Sequence, residues 1–155
     1  MLQEIYVKVK KLPHALPELP YYATPGSAGM DLSACLSDPV TIAPGERKSI
    51  PTGIAIQLPH AGIVGLVFPR SGLAVRSGVN LANSVGVIDS DYTGEIICVL
   101  VNHGTQDMTI ARGDRIAQIL FMPVCRTVLE ETTELADTLR GSGGFGSTGL
   151  QSKQE

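Results

Sequence analysis

Charged residues are scarce in this chain: they make up 17% of its 155 residues, against about 25% in ordinary globular proteins. This scarcity argues against coiled coils and helical bundles, which are rich in Glu and Lys. Disorder is disfavoured as well, because hydrophobic residues make up 43% of the chain and can form a core. The 17 glycines and 10 prolines are about one sixth of the chain, against an ordinary share of about 12%. The length fits one domain, and the composition favours short strands joined by tight turns.

The chain also lacks an excess of positive charge. Its net charge is −3, so we expect no nucleic-acid polymer as a partner. Residues 49–69 carry no charge, but Pro51 and Pro59 interrupt the run, which argues against a membrane span. The first residues lack a continuous apolar stretch, so no signal peptide is expected. The three cysteines are widely spaced, as is typical of reduced thiols in a cytoplasmic protein.

Apolar patterns predict strands along most of the chain. Residues 4–10 alternate, with Ile5, Val7 and Val9 on one face, which predicts a half-buried strand. Further apolar runs, separated by turn-forming residues, lie at 53–58, 62–68, 95–102 and 115–123. Residues 71–77 predict a short helix with Ser71 as its N-cap. The pattern as a whole predicts an all-β sandwich or barrel.

The C-terminal end differs in composition from the rest. Residues 141–149 hold five glycines in nine positions, and a polar tail follows. Because glycine loses the most backbone entropy on ordering, this segment is either a disordered tail or an arm that orders on a ligand, and composition alone favours the tail. Its match to G-x-G-x-x-G lacks the helix and the acidic residue that a dinucleotide site needs. We expect a β-barrel over 1–139 and a glycine-rich arm and tail over 140–155, within one domain.

Polar residues interrupt several of the apolar segments. Asp31 lies inside the apolar stretch 28–34, where a buried carboxylate needs a partner or a hydrated cation. Residues 70–72 (Arg-Ser-Gly) stand where a strand meets the predicted helix; they can bind phosphate, but they also suit an ordinary helix start. Arg115 and Gln118 interrupt an apolar strand, so each is expected to have a buried polar partner.

The densest polar group lies between two predicted strands. Asn83, Asp89, Asp91 and Tyr92 fall within a stretch of ten residues, 83–92. If the stretch is extended, Asp89 and Asp91 share one face and Tyr92 points to the other. A hairpin turn with solvated acids explains the same residues, and locally the two interpretations are equally good.

The sequence resembles the family of trimeric deoxyuridine triphosphatases (dUTPases) in five segments: AGMDLSA, PRSG, N-x5-DSDYTGE, GDRIAQILF and RGSGGFGSTG. They stand in the family's order and spacing and cover the chain from about residue 26 to residue 149. The resemblance implies a distorted jelly-roll-like β-barrel with one short helix and a flexible C-terminal arm. It also implies a homotrimer with shared active sites, in which another subunit donates the arm.

The implied activity is hydrolysis of dUTP to dUMP and pyrophosphate by water attack on the α-phosphorus, with Mg²⁺ as cofactor. Such an enzyme limits uracil in DNA and supplies dUMP for thymidylate synthesis. Phosphate and water oxygens would be the main ligands of the magnesium ion, because this ion gives up its bound water reluctantly.

The resemblance further implies roles for single residues. Asp89 would be the general base that orients the attacking water, and Asp31 would act on magnesium only through a water molecule. Asp91 and Arg115 would form a charged pair that braces the site. The implied substrate-binding residues are Arg70, Ser71, Gly72, Asn83, Tyr92, Gln118, Arg140, Phe145, Gly146 and Ser147.

Specificity would follow from the same residues. Asn83 and the backbone of a hairpin over 81–92 would read the uracil edge, where cytosine leaves a buried mismatch. Tyr92 packed under the sugar would exclude a 2′-hydroxyl by sterics, and Phe145 would stack over the uracil.

Two alternatives stay open at this point. A dCTP deaminase of the same superfold needs a catalytic glutamate in the third segment and lacks the DSDYTG pattern. A non-catalytic trimeric interaction protein has no reason to keep Asp89, Tyr92 and the arm together.

Overall fold

Ten strands and one short helix make up the part of the chain that the structure, a computed structural model, describes: residues 4–144. This confirms the predicted all-β class. In chain order the elements are β1 Lys8–Lys11, β2 Met30–Ser33, β3 Val40–Ile42, β4 Arg47–Gln57, β5 Ile63–Pro69, α1 Ser71–Ser77, β6 Val79–Leu81, β7 Gly86–Ile88, β8 Glu95–Asn102, β9 Met108–Ile110 and β10 Arg115–Pro123.

The strands form two four-stranded antiparallel sheets and one small ribbon. One sheet has the order β1-β4-β8-β6, the other has the order β2-β10-β5-β7, and β3 pairs with β9. Buried side chains of both sheets form a single core, which includes Ile50 from β4, Leu100 from β8, Leu32 from β2 and Ile116 from β10. The arrangement is a sandwich, because each sheet buries one face against the other.

Strand β8 shows how the sequence produces this layering. Its residues Ile96, Cys98 and Leu100 are buried, whereas Ile97 and Val99 between them are exposed. Successive side chains of a strand point to opposite faces, so the first set faces the core. The second set leaves an apolar stripe on the outer face of the sheet.

Three details of the predicted elements are wrong. Strand β4 begins at Arg47 rather than at residue 53. The N-terminal strand begins at Lys8 rather than at residue 4, and all its residues are exposed. The burial predicted there comes from Ile5 and Val7, which pack against the core before the pairing with β4 begins. Helix α1 has Arg70, not Ser71, as its N-cap, because Arg70 is extended and Ser71 is already helical; no side chain caps the helix.

The hairpin predicted over 81–92 is also wrong. β6 takes its ladder partner from β8 in one sheet, and β7 takes its partner from β5 in the other. The residues between β6 and β7 form a local turn, in which Ser84 donates its backbone N–H to Leu81 O and has a φ of 63°. Residues 82–85 therefore pass from one sheet to the other rather than closing a two-stranded hairpin.

After β10 the chain continues without helix or strand to residue 144. Four of its apolar side chains are almost fully exposed: Val128, Leu129, Leu135 and Leu139. The boundary between barrel and arm at 139/140 stays a prediction. Within residues 4–144 no helix is long and apolar enough to cross a membrane.

Candidate functional site

A cleft of about 540 Å³ opens between β2, the end of β5, the start of α1 and β10. Five of the predicted site residues line it: Asp31, Arg70, Ser71, Gly72 and Gln118. They come from three separate segments of the sequence, and the sheet brings them together. A cleft of this size is in the range of small-molecule sites.

Strand register explains why these residues meet. In the central strand β10, Gln118 lies opposite Asp31 on one side and opposite Phe68 on the other. Phe68 is two residues before Arg70, so the end of β5 delivers Arg70 to the same edge. Gln118 Nε2 also donates to Pro69 O at 3.1 Å, which ties the strand to the helix start.

The carboxylate of Asp31 is held by two guanidinium groups. Arg70 Nε donates to Asp31 Oδ1 at 2.9 Å, and Arg115 Nη1 donates to Asp31 Oδ2 at 3.0 Å. The Asp31 side chain is only 10% exposed, and these two bonds offset the cost of taking its charge out of water. They also hold Arg70 at the cleft, where its remaining N–H groups can bind an anion.

The expected pair between Asp91 and Arg115 is not formed within one chain, and it stays a prediction for the assembled enzyme. Arg115 bonds to Asp31 because β10 lies beside β2, whereas Asp91 lies in the turn between β7 and β8. Among residues 4–144 no ion pair joins Asp91 to Arg115.

Asn83, Asp89 and Tyr92 form a second, exposed group. Of the two interpretations that the sequence left open for the stretch that holds Asp89, the structure shows a turn rather than an extended segment: Tyr92 donates its backbone N–H to Asp89 O at 3.2 Å. The Tyr92 hydroxyl donates to Glu95 O at 2.9 Å, so the ring folds back over the end of the turn.

Asp89 lies far from the cleft within one chain. β7 pairs with β5 so that Ile88 lies opposite Gly65, and Asp89 follows one residue later, at the opposite end of β5 from Arg70. Six residues of strand separate Arg70 from the position opposite Asp89, which is about 20 Å. Asp89 of one chain therefore does not reach the cleft of the same chain.

The predicted arm residues divide between described and undescribed parts of the chain. Arg140 is exposed and donates Nε to Gly143 O at 2.8 Å. Phe145, Gly146 and Ser147 lie outside the described residues.

The fit to magnesium can be tested at Asp31. Both carboxylate oxygens already accept a hydrogen bond from arginine, so direct coordination would break an ion pair. Each oxygen keeps a second lone-pair site, which can accept from a metal-bound water. Within residues 4–144 no three carboxylate, His or Cys side chains cluster as a metal cage, so the residues fit an ion held mainly by phosphates and water.

One residue of the cleft was not predicted from the sequence. A Cβ atom on Gly29 would lie 2.9 Å from Gln118 Oε1 and 2.9 Å from Leu120 Cδ1, so a larger residue there would displace these two side chains. Its place two residues before Asp31, in the first of the five segments, was the available signal.

Comparisons with known proteins agree with the fold. The dUTPase family model matches residues 17–149. The chain is 54% identical over 134 residues to the deoxyuridine 5′-triphosphate nucleotidohydrolase of Desulfitobacterium hafniense (strain DSM 10664 / DCB-2), which covers 86% of this chain and 89% of that protein. It is 50% identical over 153 residues to the enzyme of the same name from Hahella chejuensis (strain KCTC 2396). That match covers 97% of this chain and 100% of the relative.

A solved structure shows the same fold. The Staphylococcus bacteriophage 80alpha dUTPase with dUpNHpp superposes with a TM-score of 0.84 at 25% identity, over 94% of this chain and 99% of that one. The predicted jelly-roll-like β fold is thereby confirmed. On its sequence and its fold, this chain belongs to the dUTPase family.

Proposed function

We propose that this protein is a dUTP diphosphatase, which hydrolyses dUTP to dUMP and pyrophosphate. The observation that carries the proposal is the cleft in which Asp31 holds Arg70 beside Ser71, Gly72 and Gln118. Named relatives that are 50–54% identical over most of the chain support the same activity. Cellular roles in limiting uracil in DNA and supplying dUMP follow from that reaction.

The residues of the cleft act on the triphosphate. Arg70, Ser71, Gly72 and Gln118 bind phosphate oxygens and hold the α-phosphorus in place, which reduces the entropy cost of the reaction. When bound, Mg²⁺ neutralises negative charge on the phosphates. Asp31 would accept a hydrogen bond from a water molecule bound to that ion, and Arg115 supports Asp31 from its other side.

The residues of the exposed group act on water, base and sugar. Asp89 takes a proton from the water that attacks the α-phosphorus, and pyrophosphate leaves as the bond from that phosphorus to the bridging oxygen breaks. Asn83 binds the uracil edge, and Tyr92 packs under the deoxyribose. Phe145, Gly146, Ser147 and Arg140 of the C-terminal arm (140–155) close over the nucleotide; this role and the boundary after the barrel (1–139) are part of the proposal.

The active enzyme is a homotrimer with shared sites. The distance of about 20 Å between Asp89 and Arg70 along β5 supports this, because catalysis needs both at one substrate. Ile97 and Val99 on the outer face of β8, and Val87 on β7, are exposed apolar residues suited to contact with other subunits. The free thiols Cys35 and Cys98 support a cytoplasmic location.

The experiment is to incubate the protein with dUTP, dCTP or UTP and Mg²⁺ in ¹⁸O-labelled water. We expect pyrophosphate from dUTP, with the label in dUMP because water attacks the α-phosphorus. Ammonia from dCTP would support the deaminase alternative, no turnover would support the interaction protein, and label in pyrophosphate would contradict the mechanism.

Asp89→Asn tests the assigned base. We expect turnover to fall by about 10²–10⁴-fold while binding of a non-hydrolysable dUTP analogue persists. Asp107→Asn is the matched control, since it removes the same charge from an exposed turn away from the site. Equal turnover in D89N and D107N would refute the role of Asp89.

A further inference from the structure

The Tyr92 ring is fixed by the residues that follow it. Its hydroxyl donates to Glu95 O at 2.9 Å. A Cβ atom on Gly94 would lie 2.7 Å from the Tyr92 hydroxyl oxygen, so the ring occupies the space that any other side chain at 94 would need. The direction of the ring therefore depends on where the carbonyl of Glu95 points.

The Glu95 side chain holds that carbonyl in place from the other side. Glu95 Oε1 accepts the backbone N–H of Gly53 at 2.8 Å and His14 Nε2–H at 2.8 Å. Gly53 lies in the bulge of β4, where the pairing with β8 shifts register between Pro51 and Ala55. The first residue of β8 is thus anchored through its side chain at the point where the regular ladder is interrupted.

His14 belongs to an N-terminal segment, residues 12–17, that is itself well held. Leu12 donates its backbone N–H to Gly53 O at 2.8 Å. Arg112 Nη2 donates to His14 O at 2.9 Å and to Ala15 O at 3.1 Å. The histidine therefore reaches Glu95 from a fixed backbone, although its side chain is 44% exposed.

We propose that Glu95, supported by His14, is a positioning residue for Tyr92, and that discrimination of dUTP against UTP depends on it. The inference rests on the proposed function, in which Tyr92 packs under the deoxyribose. Rejection of a 2′-hydroxyl by sterics requires a ring that cannot move aside. The Glu95 carboxylate touches no substrate in this scheme and acts only through Tyr92.

The test compares kcat/KM for dUTP with kcat/KM for UTP in matched variants. Glu95→Ala removes both side-chain bonds, and we expect the dUTP/UTP ratio to fall about tenfold. Glu95→Gln keeps an acceptor oxygen and should stay within about twofold of the original chain. The control is Glu46→Ala. The Glu46 carboxylate also accepts a backbone N–H, from Ala43, but Glu46 lies near the opposite end of β8 from Glu95.

A double-mutant cycle decides whether Glu95 acts through Tyr92. Tyr92→Phe removes the hydroxyl that donates to Glu95, so we expect the ratio to fall in this variant and to fall no further when E95A is added. A further independent loss in the double variant would overturn the inference. Should E95A fail to fold, His14→Ala carries the test, with an expected fall of about threefold.

Thermal unfolding separates positioning from a merely structural role. A lower melting temperature in E95A with an unchanged dUTP/UTP ratio would overturn the inference while leaving the dUTPase activity intact. An equal fall of the ratio in E46A would overturn it as well. Absence of dUTP hydrolysis in the original chain would instead contradict the proposed function on which the inference rests.

Discussion

Asp31 shows what a single buried charge requires. Alone in an apolar strand, its carboxylate would be costly to desolvate, and two arginines share that carboxylate. The same bonds that stabilise Asp31 hold Arg70 beside the phosphate-binding residues. Stability and binding therefore depend on one group of three side chains.

The cysteines differ in burial, and we expect them to differ in reactivity. Burial raises the pKa of the Cys98 thiol from 9.0 to about 12, so at neutral or mildly alkaline pH it stays a neutral thiol. Cys35 is buried too, whereas Cys125 is exposed. With a thiol reagent at pH 8 we expect Cys125 to react first and the other two only on unfolding.

Cys125→Ser is the control for this assignment and should abolish the fast phase. A fast phase that persists in C125S would show that one of the buried thiols becomes accessible in the native protein.

At the scale of the element, the bulge of β4 joins the N-terminal segment to the sheet. Gly53 has a φ of 72°, and a Cβ atom there would lie 2.6 Å from Ala15 Cα. Because Ala15 Cα is a backbone atom, it cannot move aside as easily as the end of a flexible side chain. The bulge accordingly needs glycine both for its conformation and for the close approach of residues 12–17.

Gly53→Ala is expected to lower the free energy of unfolding by about 3 kcal/mol or more, because strain and overlap add. Gly45→Ala is the matched control: its φ of 78° carries similar strain, but nothing lies within 4 Å of the added atom. We expect it to cost about 1 kcal/mol. Urea unfolding measures both, and equal losses would show that the contact with Ala15 contributes nothing.

At the scale of the whole molecule, Asp89 and Arg70 lie near opposite ends of β5: Arg70 directly follows the strand, and Asp89 lies beside its first residues. The proposed trimer joins the Asp89 of one subunit to the Arg70 of another. A variant that lacks Asp89 and a variant that lacks Arg70 should then restore activity when both are present in one trimer. A site built within one chain would not allow this.

We expect D89N and Arg70→Ala proteins to be inactive separately and to regain activity when unfolded together and refolded. In an equal mixture, half of the subunits have an intact Asp89 and the other half have an intact Arg70. If subunits assemble at random into symmetric trimers, about a quarter of the shared sites contain both intact residues. The measurement is pyrophosphate release from dUTP after refolding. Mixing without unfolding is the control, and no recovery in the refolded mixture, with trimers present, would contradict shared sites.

Prediction from sequence succeeded where the pattern is local. The runs at 95–102 and 115–123 are strands with those bounds, because alternation or continuous apolarity over eight or nine residues leaves few other structures. The sequence also indicates Asp31 and Gln118, because each interrupts an apolar segment, and Arg70, because it stands where a strand meets the predicted helix. Their roles in binding stay predictions.

Prediction failed where a partner lies far away in the chain. Nothing near Arg115 in the sequence shows that its carboxylate within one chain is Asp31 rather than Asp91, because that choice depends on β10 lying beside β2. The 81–92 hairpin failed for the same reason, since β6 and β7 find their partners in different sheets.

The sequence by itself determined the all-β class, the strand-forming runs and the family, because these follow from composition, periodicity and ordered motifs. Only the tertiary structure decided which groups meet: Arg70 with Asp31, His14 with Glu95, and Asp89 apart from both. The physical reason is that a hydrogen bond or an ion pair acts over about 3 Å, and only the register of paired strands brings distant residues that close.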